Sequence, residues 1–570
     1  MQSLALMTMA GVPTLGMTIG YIGDNDPTSP AVLGFFTGAT DQYFEFVREH
    51  EDDDIIWRFL DFLRNTYPGI TIYSHNGVDN EHKFLINALV HRGEKIRFMG
   101  GTSKIEWDEP SITFIDSYSV MAMGISKMTR AMNVTRKAGT QDQHTGPVRD
   151  PEMRVNCIAL SECLGRFESL LLHHFDISPS STISLIAVKV LDRKFFPLKY
   201  IHPNEKYERF VRRATYAGRN EVYRRFGAGV NLYDIRGNYI SCYDTPVPTG
   251  QMFWINPDLS RGSLCEAIVK VPEDMFVGPL PVRIEGRLYF PVGKLRGWWD
   301  TTELRFAEEL GCTVEPLRQL CAEEVPALKT FADYLCNLRD QADYEEYNPD
   351  LGRLWKTLGL RLCGKFGQTR SRSEVCHILD LDDETGWCPI DTHEVYHEKT
   401  SSMEGSRMPF IRTAVNMRIR AEARVRHLRI LLAADRKGQI FYGDTDSVYT
   451  TAQMSVGTKH GELQLKDWAS RAYFIKCKTY GYIDRNGRTK QRTAGFKDVA
   501  LSEADFQAVL DEGKEVHFTW KSLPGWKTAI TADNICELEK IRTLRDDSDS
   551  NRAVCANGVD TKPLIFDMTG

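Results

Sequence analysis

The spacing of apolar positions changes period several times along the chain, and each change marks an element. Alternation in Ile70-Thr71-Ile72-Tyr73-Ser74 and in Ile112-Thr113-Phe114-Ile115-Asp116 predicts two strands, with a helix over 83–92 after the first. Helical spacing over 155–172 predicts a long helix, preceded by a polar loop over 141–151 that contains Gly146 and Pro147. A second α/β stretch opens near Tyr216 and carries the strand Val230-Asn231-Leu232-Tyr233-Asp234. Residues 260–325 alternate short strands with Pro/Gly turns, 327–363 read as two helices broken at Asn348-Pro349, and 370–405 are polar and turn-rich. A long helix is predicted over 412–432, carrying Arg412, Arg418, Arg420, Arg424, Arg426 and Arg429, and a last α/β module over 485–570.

With 570 residues the chain is too long for a single core, so several domains are expected. Its 42% apolar and 26% charged residues are ordinary for a globular protein. The net charge of −6 means that any nucleic-acid binding must come from local basic surface. Thirteen cysteines without a Cys-x-x-Cys pair argue against zinc knuckles and for reduced thiols in an intracellular, soluble setting. Residues 1–23 are uncharged, but Gly11, Pro13, Gly16 and Gly20 interrupt them and no basic segment precedes them. A buried strand or hairpin is expected there rather than a signal peptide or a membrane span.

The most informative stretch is Phe441-Tyr442-Gly443-Asp444-Thr445-Asp446-Ser447-Val448-Tyr449-Thr450. It places two carboxylates two residues apart in a tight turn between strand-forming flanks. Acids held together on one side are costly unless a cation neutralises them, and a Mg²⁺ site for phosphoryl transfer is the economical reading. A polar hairpin tip is the plain alternative. A two-metal site needs a further carboxylate from another element, so that its ions sit about 4 Å apart. Asp234, ending an apolar strand, is the best candidate, although solvated strand-end acids are common. A basic partner is offered by Lys356-Thr357-Leu358-Gly359-Leu360-Arg361-Leu362-Cys363-Gly364-Lys365-Phe366. A lysine facing a cleft from a helix binds a polyphosphate as a point charge, and Gly364 allows close approach of a base.

Order joins these weak signals into a strong one. Asp234 on a strand, the Lys356 helix ending in Gly364-Lys365-Phe366, Tyr442-Gly443-Asp444-Thr445-Asp446-Ser447 and Lys478-Thr479-Tyr480 follow one another in a single chain. The chain resembles family B DNA polymerases. Residues 234–240 resemble the family's motif A (Asp-x-x-Ser-Leu-Tyr-Pro) and 356–364 its motif B (Lys-x-x-x-Asn-x-x-Tyr-Gly). Residues 442–447 match motif C (Tyr-x-Asp-Thr-Asp-Ser) at every specified position. Long spacers between the motifs, Lys478-Thr479-Tyr480 as a Lys-x-Tyr motif, and Tyr216-Ala217-Gly218 as a partial Tyr-x-Gly-Gly linker resemble the protein-primed branch found in small bacteriophages, adenoviruses and linear plasmids.

The resemblance implies an α/β and α+β multidomain fold. A ribonuclease H-like exonuclease domain over 1–170 would precede a right-hand polymerase with two insertions. Linker and first palm part would span 171–260, the first insertion 261–326, fingers 327–369, the second insertion 370–408, the rest of the palm 409–484, and the thumb 485–570. The insertions would encircle the duplex. It further implies that Asp234 and Asp446 hold two Mg²⁺ ions, with Mn²⁺ as a substitute, and that Asp444 is an auxiliary acid. Tyr239 would exclude a 2′-hydroxyl, and Lys356, Arg339 and Gly364 would bind the incoming nucleotide. Tyr442, Thr445, Lys478, Tyr480, Tyr216 and Gly218 would contact DNA. The arginine-rich helix would contact template phosphates, unless it is simply a solvated charged face. Implied partners are template DNA, deoxynucleoside triphosphates and a separate terminal protein that primes, with the enzyme acting as a monomer away from any membrane.

Departures qualify this picture. Leu360 stands for the motif B Asn and Cys363 for its Tyr, and motif A reads Gly237-Asn238-Tyr239-Ile240. The first exonuclease strand lacks its Asp-x-Glu pair, and Asp24-Asn25-Asp26 lie beyond it. Tyr73-Ser74-His75-Asn76, followed by Asp79 and Glu81, resembles the second exonuclease motif with its acid displaced. Asn156 takes the third motif's Asp position and Glu152 its Tyr. Asn supplies no anionic charge for a two-metal site, so a degenerate exonuclease is expected, kept as a platform for single strands or the priming protein. Two rivals remain open: a catalytically weak replication scaffold, and a polymerase using ordinary primers. A nuclease alone is the least supported reading.

Overall fold

A computed structural model describes residues 15–20, 32–37, 42–50, 52–98, 103–135, 151–196, 201, 205–368, 371–377, 387–390, 396–402, 410–494, 500–531, 535, 538–546 and 551–569. Asp24 to Asp26 and most of the loop predicted over 141–151 lie outside these residues.

The first large sheet has seven strands in the order Gln42–Val47, Val32–Thr37, Leu15–Gly20, Thr71–Ser74, Ile112–Asp116, Lys104–Trp107, Ile96–Phe98. Its three middle strands run parallel and its edges antiparallel. Helix Pro151–Phe175 packs against Leu15–Gly20 and Val32–Thr37, and helix Ile55–Thr66 against Val32–Thr37 and Gln42–Val47. Every residue of Val32–Thr37 is buried, as expected of a strand lying between packed layers. The C-terminal part of the chain returns to this core. Ala529, Ile530 and Ile535 join it, Trp526 meets Phe98 edge-on, and Asn87 Nδ2 donates to Ala529 O at 2.8 Å.

The second large sheet is entirely antiparallel, in the order Thr489–Thr493, Thr479–Asp484, Leu463–Lys476, Phe226–Ile235, Ser447–Thr450, Ile440–Asp444, Asn220–Val222. It assembles strands from segments more than two hundred residues apart, with Phe226–Ile235 at its centre. Helix Thr413–Asp435 crosses it so closely that a Cβ on Gly443 would meet His427 Cε1 at 3.1 Å.

The predicted helical pair is present as Lys329–Asp340 and Pro349–Phe366. Asn348 caps the second helix by accepting from Leu351 N at 3.1 Å, and Pro349 sits where a missing N–H costs nothing. This helix is clamped to the turn Ile240–Cys242: Tyr243 donates its hydroxyl to Gly359 O at 2.8 Å, and a Cβ on Gly359 would lie 2.6 Å from Ile240 Cδ1.

Four expectations differ. Residues 260–325 contain a helix, Thr301–Glu309, started by the Asp300 side chain accepting from Thr302 N at 2.9 Å. Within 370–405 the strands Ser371–His377, Cys388–Pro389 and Tyr396–Ser402 form a three-stranded sheet; their sequences are polar at successive positions, so no alternation shows. Strand Thr489–Thr493 extends the central sheet past residue 484. Strand Ile565–Asp567 pairs in parallel with Val292–Asp300, so the chain's end belongs to the five-stranded sheet of residues 253–321, not to one C-terminal module.

Candidate active site

Asp234 is the penultimate residue of Phe226–Ile235, and its Cα partner on the neighbouring strand is Ser447. Asp446 occupies the two-residue turn before that strand. Ile235 N donates to Asp446 O at 2.7 Å, which ties the turn to the Asp234 strand. Backbone pairing therefore makes two acids neighbours although 211 positions separate them in sequence. Thr445 adopts φ = +56°, a left-handed conformation that turns the chain sharply enough to carry Asp446 across. Thr445 N donates to Arg219 O at 2.6 Å, and Asn238 Nδ2 donates to Thr445 O at 2.9 Å. A Cβ on Gly218 would lie 2.5 Å from Thr445 Oγ1, so the linker must have glycine there to buttress the turn.

The electrostatics follow from this crowding. Burial, then the nearby Asp234 and Asp444, push the Asp446 carboxyl up to about 7, with Lys356 opposing. Burial also raises Asp234, against Lys466, whose Nζ is 3.9 Å from Asp234 Oδ2, and Lys356. Lys356 is lowered by burial and then by Arg339, while Asp234 and Asp446 favour its charge. Asp444 is differently placed. It accepts from Lys478 Nζ at 3.0 Å, Tyr442 OH at 3.3 Å and Thr445 Oγ1 at 3.1 Å. Asp234 and Asp446 thus form an under-neutralised pair, and Asp444 a paired neighbour. Among the described residues no group of three or more His, Cys, Asp or Glu side chains forms a metal cage. Two carboxylates nevertheless fit Mg²⁺, which commonly binds through one or two carboxylates, substrate phosphates and waters.

The other predicted site residues divide. Tyr239 is partly buried against the core at Cys363, and its hydroxyl is pushed up to about 12 by burial. With Leu360, Cys363, Gly364 and Arg420 it lines a cavity of about 450 Å³, closed on one side by Thr182 and Ser184. A Cβ on Gly364 would touch nothing within 4 Å. At the Cys363 position Asn416 Nδ2 donates to the Cys363 carbonyl at 2.5 Å and reaches its Sγ at 3.2 Å. Arg339 pairs with Asp343 at 3.4 Å beside the buried Arg236. Tyr480 and Tyr449 share a hydroxyl hydrogen bond of 2.7 Å, and Lys478 N donates to Tyr442 OH at 3.0 Å. Tyr442 and Tyr216 are buried; Tyr216 donates its hydroxyl to Trp298 O at 3.2 Å, so both rings are packing elements of the site's foundation.

Five of the six arginines named for the arginine-rich helix are engaged by other side chains of the protein, and the sixth, Arg420, lines the cavity beside Tyr239. Arg418 pairs with Asp300 and Glu324, each at 2.7 Å, and Arg424 grips Glu303 through two bonds of 2.7 and 2.8 Å. Arg412 pairs with Asp192 and Arg426 with Ser241, and Arg429 meets Glu309 at 3.3 Å on the surface. Neighbouring helices, the end of strand Val292–Asp300 and the short strand Glu324–Val325 supply the acids, which the helix's own sequence could not reveal.

In the N-terminal sheet, Leu15-Gly16-Met17-Thr18-Ile19-Gly20 carries no acid. Asn156 lies on helix Pro151–Phe175 with its Oδ1 buried and without a hydrogen-bond partner among the described residues. Asp79 stands in the turn after Thr71–Ser74, and Glu81 opens the following helix.

Sequence reasoning missed Asn238, Arg219 and Arg236. Asn238 and Arg236 lie inside motif A, and Asn238 was readable as a turn residue; Arg219 carried no local signal.

Residues 153–413, which hold motifs A and B, match the family "DNA polymerase type B, organellar and viral". A "probable DNA polymerase" of Podospora anserina is 20% identical over 453 residues, covering 70% of this chain and 37% of that protein. One of Neurospora intermedia is 21% identical over 443 residues, covering 64% and 45%. The chain thus spans less than half the length of these curated relatives. The fold is that of phi29 DNA polymerase. The complex of that enzyme with primer-template DNA and incoming nucleotide superposes with a TM-score of 0.68 at 14% identity, over 95% of this chain and all of the other. Its complex with single-stranded DNA gives 0.66 at 15% identity, over 94% of this chain. Family match and fold agree with the resemblance read from the motifs.

Proposed function

We propose that this chain is a DNA-directed DNA polymerase that adds deoxynucleotides to a primer on a template. The central sheet would be the palm, the helices Lys329–Asp340 and Pro349–Phe366 the fingers, and the segment after the central sheet the thumb. The observation that carries the reading is the pairing of the Asp234 strand with the Asp446 turn beneath Lys356. Asp234 and Asp446 are the residues that would hold two Mg²⁺ ions, or Mn²⁺ in their place. When bound, such ions lower the pKa of the primer hydroxyl and neutralise the departing pyrophosphate. Lys356 and Arg339, carried on the fingers helices, would grip the triphosphate as point charge and fork. Tyr239 would press against the sugar, where a 2′-hydroxyl has no room. Lys478 would position the primer end and Asp444 together.

Priming by the hydroxyl of a separate terminal protein is part of this reading, supported by Lys478-Thr479-Tyr480 and by the length of the two spacers. So is loss of 3′–5′ exonuclease activity, supported by the acid-free strand Leu15–Gly20 and by Asn156. The enzyme would act as a monomer on DNA; no helix among the described residues is long and apolar enough to cross a membrane.

Primer extension with Mg²⁺ tests the proposal. Wild type should extend an oligonucleotide on a template, and Asp446→Ala should lose about three orders of magnitude of rate, the equivalent of several kcal/mol of metal-ion stabilisation. A wild type that binds DNA without extending it would establish the scaffold reading instead. Transfer of a deoxynucleotide to a partner protein, compared with transfer to the oligonucleotide, separates the two modes of priming.

A further inference from the structure

The loop between motif C and strand Leu463–Lys476 folds back over motif A. Gly461 N donates to Arg236 O at 2.8 Å, and Arg236 N donates to Glu462 O at 2.9 Å. This places the His460 ring directly on the motif A turn: a Cβ on Gly237, which has φ = +61°, would lie 3.0 Å from His460 Nδ1. Both ring nitrogens of His460 are buried, and neither has a hydrogen-bond partner among the described residues. Two other donors nearby share that condition, Arg339 Nη1 and Arg236 Nε. Buried polar groups are nearly always satisfied, so a cluster of unsatisfied N–H donors is an unfilled acceptor site.

The charges around His460 identify what would fill it. Arg339, Arg236 and Lys356 face it with their positive charge, and Asp340 is the acid among them. Arg236 already engages Asp340 at 3.1 Å and Arg339 engages Asp343 at 3.4 Å, so three cations face two acids and the excess is positive. Burial, then Arg339 and Arg236, lower the imidazole to about 4, so at neutral pH it is uncharged and offers one N–H. An anion entering between these groups would satisfy the orphaned donors and reverse the repulsion that holds the imidazole neutral. Lys356 couples the cluster to Asp234 and Asp446, so the anion would lie at the edge of the carboxylate pair.

We propose that His460 is a third ligand for the polyphosphate of the incoming nucleotide, donating from the palm side opposite Lys356 and Arg339. This rests on the nucleotide-binding reading above and adds a residue that none of the three motifs contains. His460 is a binding and positioning residue, reaching the non-reacting phosphates.

Inorganic tripolyphosphate is the probe, titrated by calorimetry into wild type, His460→Ala and His460→Gln. Loss of one hydrogen bond to an anionic acceptor should weaken binding about tenfold in His460→Ala. Glutamine, which keeps an N–H, should recover most of that loss, which a purely structural role would not produce. The His460 Cε1–H resonance should titrate at higher pH with tripolyphosphate present. In extension assays His460→Ala should raise KM for deoxynucleotides about tenfold with kcat little changed, the mark of a ground-state contact. Equal tripolyphosphate affinity in wild type and His460→Ala, or no binding by wild type, overturns the proposal. If wild type binds tripolyphosphate through His460 yet extends no primer, the polymerase reading fails while the polyphosphate contact of His460 stands.

Discussion

Two aspartates, one ending a strand of the first large sheet and one in a turn of the central sheet, have opposite fates. Asp116 ends the parallel strand Ile112–Asp116, beside Ser74. Its buried carboxylate accepts from Tyr118 N at 2.9 Å and is further held by the amides of Asn76, Gly77 and Val78. Burial raises its pKa and those backbone bonds oppose the rise. Asp446 beside the central sheet is half-buried, but its neighbours are two more carboxylates, and its compensation is a lysine from another element. The first acid is saturated by protein and serves as a helix cap. The second is left wanting a cation. Burial of an acid is therefore weak evidence of chemistry; what distinguishes the two is whether the protein itself has completed the carboxylate's coordination.

Asparagine substitution breaks the comparison most sharply. Asp446→Asn should abolish primer extension to the extent expected of Asp446→Ala, while its thermal unfolding midpoint stays level or rises, because a like-charge contact is removed. Asp116→Asn should do the reverse. It removes an anionic acceptor from several amides and should cost about 1–3 kcal/mol of stability in denaturant unfolding, with extension per folded molecule unchanged. Asp116→Asn abolishing extension at full stability would show that the N-terminal acid is not merely structural.

The same contrast explains what the sequence could reveal. Motif C was legible because all its parts lie within ten residues, and a turn flanked by apolar strands can place acids together without distant help. Strand Phe226–Ile235 and the helix pair around Asn348-Pro349 were legible from apolar period and capping chemistry. The absence of an acid from Leu15–Gly20 was legible too, since it needs no coordinates to be noticed. What failed depended on partners far along the chain. The arginines of Thr413–Asp435 read as an open basic surface because Asp300, Glu303 and Glu324, which bury Arg418 and Arg424, lie more than ninety positions away. The sheet within 371–402 hid behind strands polar at successive positions. Arg219 and His460 were invisible because backbone carbonyls and loop folding, not local pattern, bring them to the site.

Acid sensitivity sharpens the comparison next, because a histidine lowered by burial packs against each sheet. His75 shares a 3.0 Å hydrogen bond with Ser117 Oγ in the N-terminal sheet, and His427 one of 3.0 Å with Ser447 O beneath motif C. Burial lowers both to about 4. A depressed histidine binds protons less readily folded than unfolded. The unfolded state therefore takes up more protons between its ordinary pKa of about 6.5 and the folded value, and stability falls as pH falls through that window. His427, fully buried, should contribute a loss of up to about 3 kcal/mol. Unfolding measured from pH 7 to pH 4.5 should steepen below about 6.5 in wild type, and His427→Asn should flatten part of that slope.

The smallest effect concerns the metal, and it asks whether Asp446 lacks a ligand that Asp116 already has. A ligand that binds only the folded state stabilises it by about 2.7 kcal/mol at one hundred times its dissociation constant. Mg²⁺ added to chelator-treated wild type should raise the unfolding midpoint by a few degrees, without nucleotide or DNA. Asp116→Asn, though less stable, should respond equally, because its carboxylate lies in the other sheet. Asp446→Asn should not respond, since one carboxylate at Asp234 faced by Lys466 and Lys356 has little charge left to offer a dication. The two variants therefore move in opposite senses on the same instrument: one loses stability and keeps the Mg²⁺ shift, the other keeps stability and loses it. A Mg²⁺ shift surviving Asp446→Asn would mean that the dication binds elsewhere, and that the under-neutralised pair is stabilised by Lys356 alone.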